Sequence, residues 1–284
     1  MAAPYEFRFA VCNEVFQETD FAEACRVIKR TGWQGIEIAP STLQKKDASA
    51  LPAARRREFR DIIMSEGLEF VGFHWLGVGP DGLHVTTPDE EIRASGWDYL
   101  RRLVDLCGDL RPDGKGGVMV FGSPNQRRAA GGLTPAQATD NFIAGLRSIT
   151  PQLEARGVTF LVEALPANQC DVIGSLKEAI RVVAEVGSPG VESMFDSHNA
   201  VDETEPHVEL VKRYWNHIRH IHVNENDGSH PRPGGYDFKP VLQVAKDRRF
   251  DGWVSLEVFD FAYGAENIVR ETLTYLRSEI GKLD

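Results

Sequence analysis

The chain has 284 residues, 42% hydrophobic and 26% charged, the balance of an ordinary globular protein able to bury a sizeable core. A net charge of −10 argues against a nucleic-acid surface, which Lys and Arg would have to supply. No apolar run reaches the roughly 20 residues that a membrane helix needs.

The start, Met1 to Arg8, lacks a basic stretch followed by an apolar one, so no signal peptide is expected. Cys12, Cys25, Cys107 and Cys170 are scattered without a CxxC pair, which fits reduced thiols in a cytoplasmic protein. Cys170 reads as a packed, inert thiol.

One phrase recurs along the chain: an amphipathic helix, a glycine, then an apolar strand. It runs Ala22–Arg30, Gly32, Gly35–Ala39, and returns as Ala54–Ser65, Gly67, Leu68–His74. Further on come Pro135–Arg156, Gly157, Val158–Leu165, and Pro240–Arg249, Gly252, Trp253–Phe259. Glycine just past a helix end supplies the left-handed residue that other side chains resist. Thr134-Pro135 is a helix start, an N-cap hydroxyl followed by proline. Further strands are expected at Phe7–Cys12, Gly117–Gly122, Val191–Asp196 and Ile218–Asn224, and helices at Asp89–Leu110, Ser175–Val186, Glu205–Tyr214 and Ala265–Glu279. Alternating strands and helices imply parallel pairing. Eight such units close most naturally into a single (β/α)8 TIM barrel, one domain over residues 1–284, with a doubly wound open sheet as the alternative.

A barrel of this kind does its chemistry at the C-terminal ends of its strands, and polar residues gather there. The fifth strand carries Glu163 on the face of Thr159 and Leu161; the sixth ends in Asp196, with His198 two residues on. In the seventh, His220, His222 and Asn224 share a face, and the eighth places Glu257 beside Ser255. Buried carboxylates and imidazoles need partners. Glu163, Asp196, His222 and Glu257 offer three oxygens and one nitrogen from four consecutive strands, a set suited to one divalent cation. Singly, a strand-end Glu is more often a salt-bridge partner than a ligand, and His222 alone reads first as a satisfied core histidine.

These motifs, with Gly35 to Ile38, Pro88 to Arg93 and Tyr99–Cys107, resemble the xylose-isomerase-like TIM-barrel superfamily. The likeness is to its sugar phosphate isomerase/epimerase branch, which includes ketose 3-epimerases, hydroxypyruvate isomerase and inosose-processing enzymes. The resemblance covers essentially the whole chain. It implies that Glu163, Asp196, His222 and Glu257 bind one divalent ion, Mn²⁺ first and Mg²⁺, Co²⁺ or Zn²⁺ as alternatives. Glu163 and Glu257 would double as acid and base, removing and returning a proton beside a sugar carbonyl through a metal-stabilised cis-enediolate. It also implies a homo-oligomer, dimer or tetramer.

His198 resembles the family's substrate-binding histidine, one residue closer to the aspartate than is usual. Gln169 stands where ketose 3-epimerases often have a carboxylate, and Arg232 is the nearest stand-in for their substrate-binding arginine, or else a surface-loop charge. His74 faces inward with Phe70 and Gly72 and is placed to meet sugar hydroxyls, and Trp75 to line the pocket, unless both are packing residues. Glu37 faces the interior, toward substrate, His74 or a basic neighbour, and Glu14 ends the first strand. The expected function is a sugar or keto-sugar isomerase or epimerase. The alternative is a lyase acting on an inosose or a 3-keto glycoside, possible with a small partner subunit, and a remote one is an AP-endonuclease-like repair enzyme. A non-catalytic sugar-binding barrel is the last class.

Overall fold

The computed structural model describes residues 5–284, and the Met1–Pro4 part of the segment searched for a signal peptide lies outside them. Eight parallel strands close into a barrel in chain order, β1 (Phe9–Cys12), β2 (Gly35–Ile38), β3 (Glu69–Phe73), β4 (Val118–Phe121), β5 (Thr159–Val162), β6 (Val191–Asp196), β7 (Ile218–Val223) and β8 (Trp253–Leu256). The seam is the β1–β8 ladder, where Phe9 pairs with Val254 and Val11 with Leu256. The open-sheet alternative is excluded by that ladder.

Among the described residues ten α-helices surround the strands: α1 (Phe21–Arg30), α2 (Pro40–Leu43), α3 (Ala53–Ser65), α4 (Glu90–Asp109), α5 (Pro124–Arg127), α6 (Pro135–Arg156), α7 (Leu176–Val186), α8 (His207–Tyr214), α9 (Lys239–Asp247) and α10 (Ala265–Ile280). At the start of α6 the Thr134 hydroxyl accepts from the Gln137 amide and Gln137 returns the bond to the Thr134 amide, a reciprocal cap. Among the described residues no helix is long and apolar enough to cross a membrane.

Inside the barrel, apolar side chains fill the lower layers. Ala10, Val71 and Trp253 form one, and Val120, Leu161 and Met194 the next. The layers above are polar, so the cylinder is plugged with hydrocarbon below and presents charge at its mouth.

Two expectations change on inspection. In β3 the lower inward residue is Val71, not Phe70, because Val71 is an extra residue where the register against β2 slips between Ile36 and Glu37, while Gly72 stands opposite the inward Glu37. That bulge rephases the strand, so His74 still points inward. After α9, the left-handed residue is Arg249 (φ +51°), not Gly252. Gly252 serves a close approach instead: a Cβ there would lie 2.3 Å from the Arg219 carbonyl oxygen.

Candidate active site at the barrel mouth

Glu163 and Glu257 each follow the last residue of β5 and β8, while Asp196 and His222 are the last facing pair of the β6–β7 ladder. The four are almost wholly buried. One ligand atom from each can be chosen so that all lie within 4.8 Å of one another. His222 Nδ1 is 3.1 Å from Glu257 Oε2 and 3.5 Å from Asp196 Oδ2. Around one ion with bonds of about 2.1 Å, neighbouring ligand atoms sit ~3 Å apart and opposite ones ~4.2 Å, so only small inward shifts separate this cluster from a coordination shell.

Burial and mutual repulsion set the protonation states. Burial, then the charges of Glu257 and Asp196, push the Glu163 carboxyl up to about 8. Burial also raises Glu257, against the pull of His222. Burial opposes charge on His222, but Glu37 and Glu257 outweigh it and lift its pKa well above the usual histidine value. Asp196 resists burial through its bonds to His222 and the Asn199 amide and lies below the ordinary range. In this state a protonated imidazole supplies the positive charge that three clustered carboxylates require. A divalent cation would supply more, and three oxygens with one nitrogen are ligands that hard or borderline ions accept. The residues present fit such an ion.

Beneath this cluster lies a second, polar layer. His222 Nε2 is 3.1 Å from Glu37 Oε1, and His220 Nε2 is 2.8 Å from Glu37 Oε2. His74 Nε2 is 2.7 Å from Glu14 Oε2. With its Nε2–H held by Glu37, His222 would offer Nδ1 as a ligand to a cation once the Nδ1 proton is shed, the usual way a carboxylate orients a metal-binding histidine. Cys12 lies next to both His222 and Glu37, and the groupings Cys12–Glu37–His222 and Cys12–Glu14–His74 are also compact. Both are tied up internally by the His–Glu contacts, and burial pushes the Cys12 thiol up to about 11, far from the thiolate a metal needs.

Above the four residues opens a cavity of about 520 Å³. Glu163, Glu257, His74, Trp75 and Gln169 line it. Gln169 Nε2 donates to Asn199 Oδ1 at 3.1 Å. Trp75 stacks on Phe259, with ring centres 6.0 Å apart and planes 14° from parallel.

Three expected substrate residues are placed elsewhere. Glu37 is fully buried and does not line the cavity, since its oxygens are taken by His220 and His222. Arg232 turns to Asp227 Oδ2 at 3.1 Å and to the Ser229 hydroxyl, the surface-loop alternative. His198 bonds the Asn226 carbonyl oxygen through Nδ1 at 2.9 Å, packs with its ring centre 5.1 Å from that of Phe259, and is not among the residues lining the cavity.

Other site residues escaped the sequence reading. Asn199 gives Nδ2 to Glu163 Oε1 at 2.9 Å and its amide to Asp196 Oδ1 at 2.8 Å, so it orients two of the four. Arg127, fully buried, donates to the Glu163 carbonyl oxygen at 2.7 Å and the Phe121 carbonyl oxygen at 3.1 Å. Glu225, after β7, accepts the amides of Arg232 and Tyr236 at 3.0 and 2.6 Å and so occupies the Gly234-Gly235 loop from within. Only the Asn that follows Asp196-Ser-His gave a local signal, a polar residue near a strand end.

A closed (β/α)8 barrel with acidic and imidazole groups converging at its mouth is the class this fold and site define. The chain belongs to the xylose isomerase-like TIM barrel family, whose model matches residues 25–279. It is 22% identical to a probable ketose 3-epimerase of Synechocystis over 82% of this chain and 76% of the relative. It is 21% identical to the 3-dehydro-D-guloside 4-epimerase of Escherichia coli K12 over 94% of this chain and 97% of the relative. In three dimensions it is similar to the D-psicose 3-epimerase of Clostridium cellulolyticum, solved with D-tagatose. The TM-score is 0.83 at 16% identity, covering 96% of this chain and 99% of that one.

Proposed function

We propose that this protein is a divalent-metal-dependent sugar epimerase or isomerase, with Glu163 and Glu257 as its paired acid and base. The observation that carries the reading is two buried carboxylates of raised pKa, three strands apart, lining one cavity. The epimerase relatives support it. Glu163, Asp196, His222 Nδ1 and Glu257 would hold the ion, Mn²⁺ by preference, which when bound would supply positive charge for the developing oxyanion and keep the accepting carboxylate ionised, while the other carries the proton it delivers.

One carboxylate takes the proton from the carbon beside the substrate carbonyl, leaving an enediolate. The other returns a proton to the opposite side of that carbon for epimerisation, or to the neighbouring carbon for isomerisation. Asn199 fixes Glu163 Oε1, and Arg127 pins the Glu163 main chain. His74 and Gln169 line the cavity and would be the groups to meet substrate hydroxyls. The deciding experiment is incubation of the metal-loaded protein in D₂O with ketoses, keto-inositols and 3-keto glycosides. Deuterium entering one position with the carbon skeleton intact is the expected result. Loss of water or of an aglycone would assign the lyase alternative, and exchange with no member of the panel would refute the proposal.

Metal binding itself has a readable signature. At pH 7 both His222 and Glu163 carry protons in the metal-free protein, by the directions given above, and a ligand must shed them. Titration with Mn²⁺ is expected to release about one to two protons per ion. Calorimetry in buffers of different ionisation enthalpy reads this directly, and a proton count near zero would remove these residues as ligands.

Gly122 tests the placement of the base. A Cβ at this position would lie 2.3 Å from Glu163 Oε2, so Gly122→Ala forces the carboxylate aside while the barrel survives. Turnover is expected to fall by ~10²-fold, the cost of a misplacement of order 1 Å, with an unchanged far-ultraviolet circular dichroism spectrum.

A further inference from the structure

Resting on the sugar-epimerase reading of the site, we propose that the cavity takes a glycoside bearing an uncharged apolar aglycone, which packs against Trp75, Val78, Pro80 and Phe259. Size is the first argument. The cavity measures about 520 Å³. Even at a liquid water's share of ~30 Å³ per heavy atom, the twelve heavy atoms of a hexose fill only about 360 Å³.

The lining is divided. Glu163, Glu257, His74, Asn199 and Gln169 supply polar groups, whereas Trp75, Val78, Pro80 and Phe259 contribute apolar surface, with Asp81, Ser123, Asn125 and Gln126 beside it. Val78 is 50% exposed and Phe259 41%, two of the six large hydrophobic side chains left exposed among the described residues. Exposed apolar surface gathered at a cavity marks a surface meant to be covered, and a hydroxyl-coated sugar covers it poorly. The wall is also built with strain. Trp75 (φ +51°) and Ser123 (φ +42°) hold left-handed backbone without being glycine, and both line this cavity. The Gly77 amide donates to Ser123 Oγ at 3.0 Å, tying the loop after β3 to the β4 end. Strained residues persist where the surroundings hold a ligand clamp in place.

Charge narrows the substituent. The charged residues lining the cavity, apart from His74, are acidic (Asp81, Glu163 and Glu257), with no Lys or Arg among them. The glycine-rich loop after β7 has its Arg232 and Tyr236 amides spent on Glu225. A phosphate would meet repulsion from these carboxylates and, among the described lining residues, no Lys or Arg to bind it.

The test uses the Mg²⁺-loaded protein and calorimetric titration with methyl and phenyl 3-keto-β-D-glucopyranoside, glucose, and glucose 6-phosphate. The phenyl glycoside is expected to bind roughly 10- to 100-fold tighter than the methyl one, as burying a ring implies. Val78→Ser is expected to shrink that phenyl-to-methyl ratio about 3-fold or more, the methyl glycoside controlling for general damage. Equal affinity of the two glycosides, or glucose 6-phosphate binding tighter than glucose, overturns the proposal. Tighter phenyl binding without exchange in D₂O would sustain this proposal and defeat the epimerase one. Exchange of free ketoses with no phenyl preference would do the reverse.

Discussion

Replacing Glu257 by glutamine is expected to lower solvent-proton exchange by roughly 10²- to 10⁴-fold, the usual worth of a positioned acid or base. The substitution keeps shape and removes the proton acceptor. Glu257 is 4% exposed and lies 3.1 Å from His222 Nδ1, so the amide still fills the space and can still accept from that ring. Binding of the methyl glycoside should therefore change far less than turnover, a fall in kcat with KM nearly kept. Glu163→Gln should behave alike, and the double variant should lose little more than either alone, because a paired acid and base act as a unit. A sugar-binding barrel without catalysis would have no exchange to lose, and its affinity would be the same before and after. Retention of more than about a tenth of the exchange rate in Glu257→Gln, a loss below the range for general acid–base groups, would take Glu257 out of the chemistry.

The architecture was open to reading because periodicity repeats. Each long helix shows its apolar stripe and each strand its short apolar run, and the bounds of α6 agree with the expectation at both ends. Strand ends were read too long: the fifth was carried to Leu165 and the eighth to Phe259, whereas the ladders stop at Val162 and Leu256. The reason is physical. Extended chain continues past the last pairing, and those unpaired residues, Glu163 and Glu257, are the ones free to point at the mouth. The helices α2 and α5, of four residues each, are too short to show a period.

Side-chain partners across the barrel were hidden for a different reason. Glu37 was visible as an inward carboxylate, but its contact with His220 spans 183 residues of sequence, and no local pattern announces it. Arg232 shows the opposite case, for Asp227 is five residues away, and nearness in sequence was the better guide than family analogy. Arg127 and Glu225 serve main-chain groups, which every sequence has in equal number, so nothing marks them beforehand.

Glu37 carries the second large expectation: Glu37→Ala should destabilise the protein by about 3–5 kcal/mol, the cost of removing one partner from a buried charged pair. Its carboxylate is fully buried. Burial opposes its charge, but His220 and His222 prevail and hold its pKa well below the ordinary carboxylate range. A carboxylate lowered by folding stabilises above its unfolded pKa, and that contribution is lost as pH falls through the folded value. The gap between wild type and Glu37→Ala in urea unfolding should thus be full at pH 7, begin to close as pH falls toward about 4.5, and be lost only well below it. Glu37→Gln separates folding from orientation. Its amide oxygen can accept from one imidazole, while its NH₂ group faces the other and disturbs the Nε2–H that leaves His222 Nδ1 free. Stability should then fall by only about 1–2 kcal/mol, whereas Mn²⁺ affinity drops roughly 10- to 100-fold, as when the partner of a metal-binding histidine is altered. Unchanged Mn²⁺ affinity in a folded Glu37→Gln protein would mean that His222 is held by its own strand, and that Glu37 serves only to neutralise the interior.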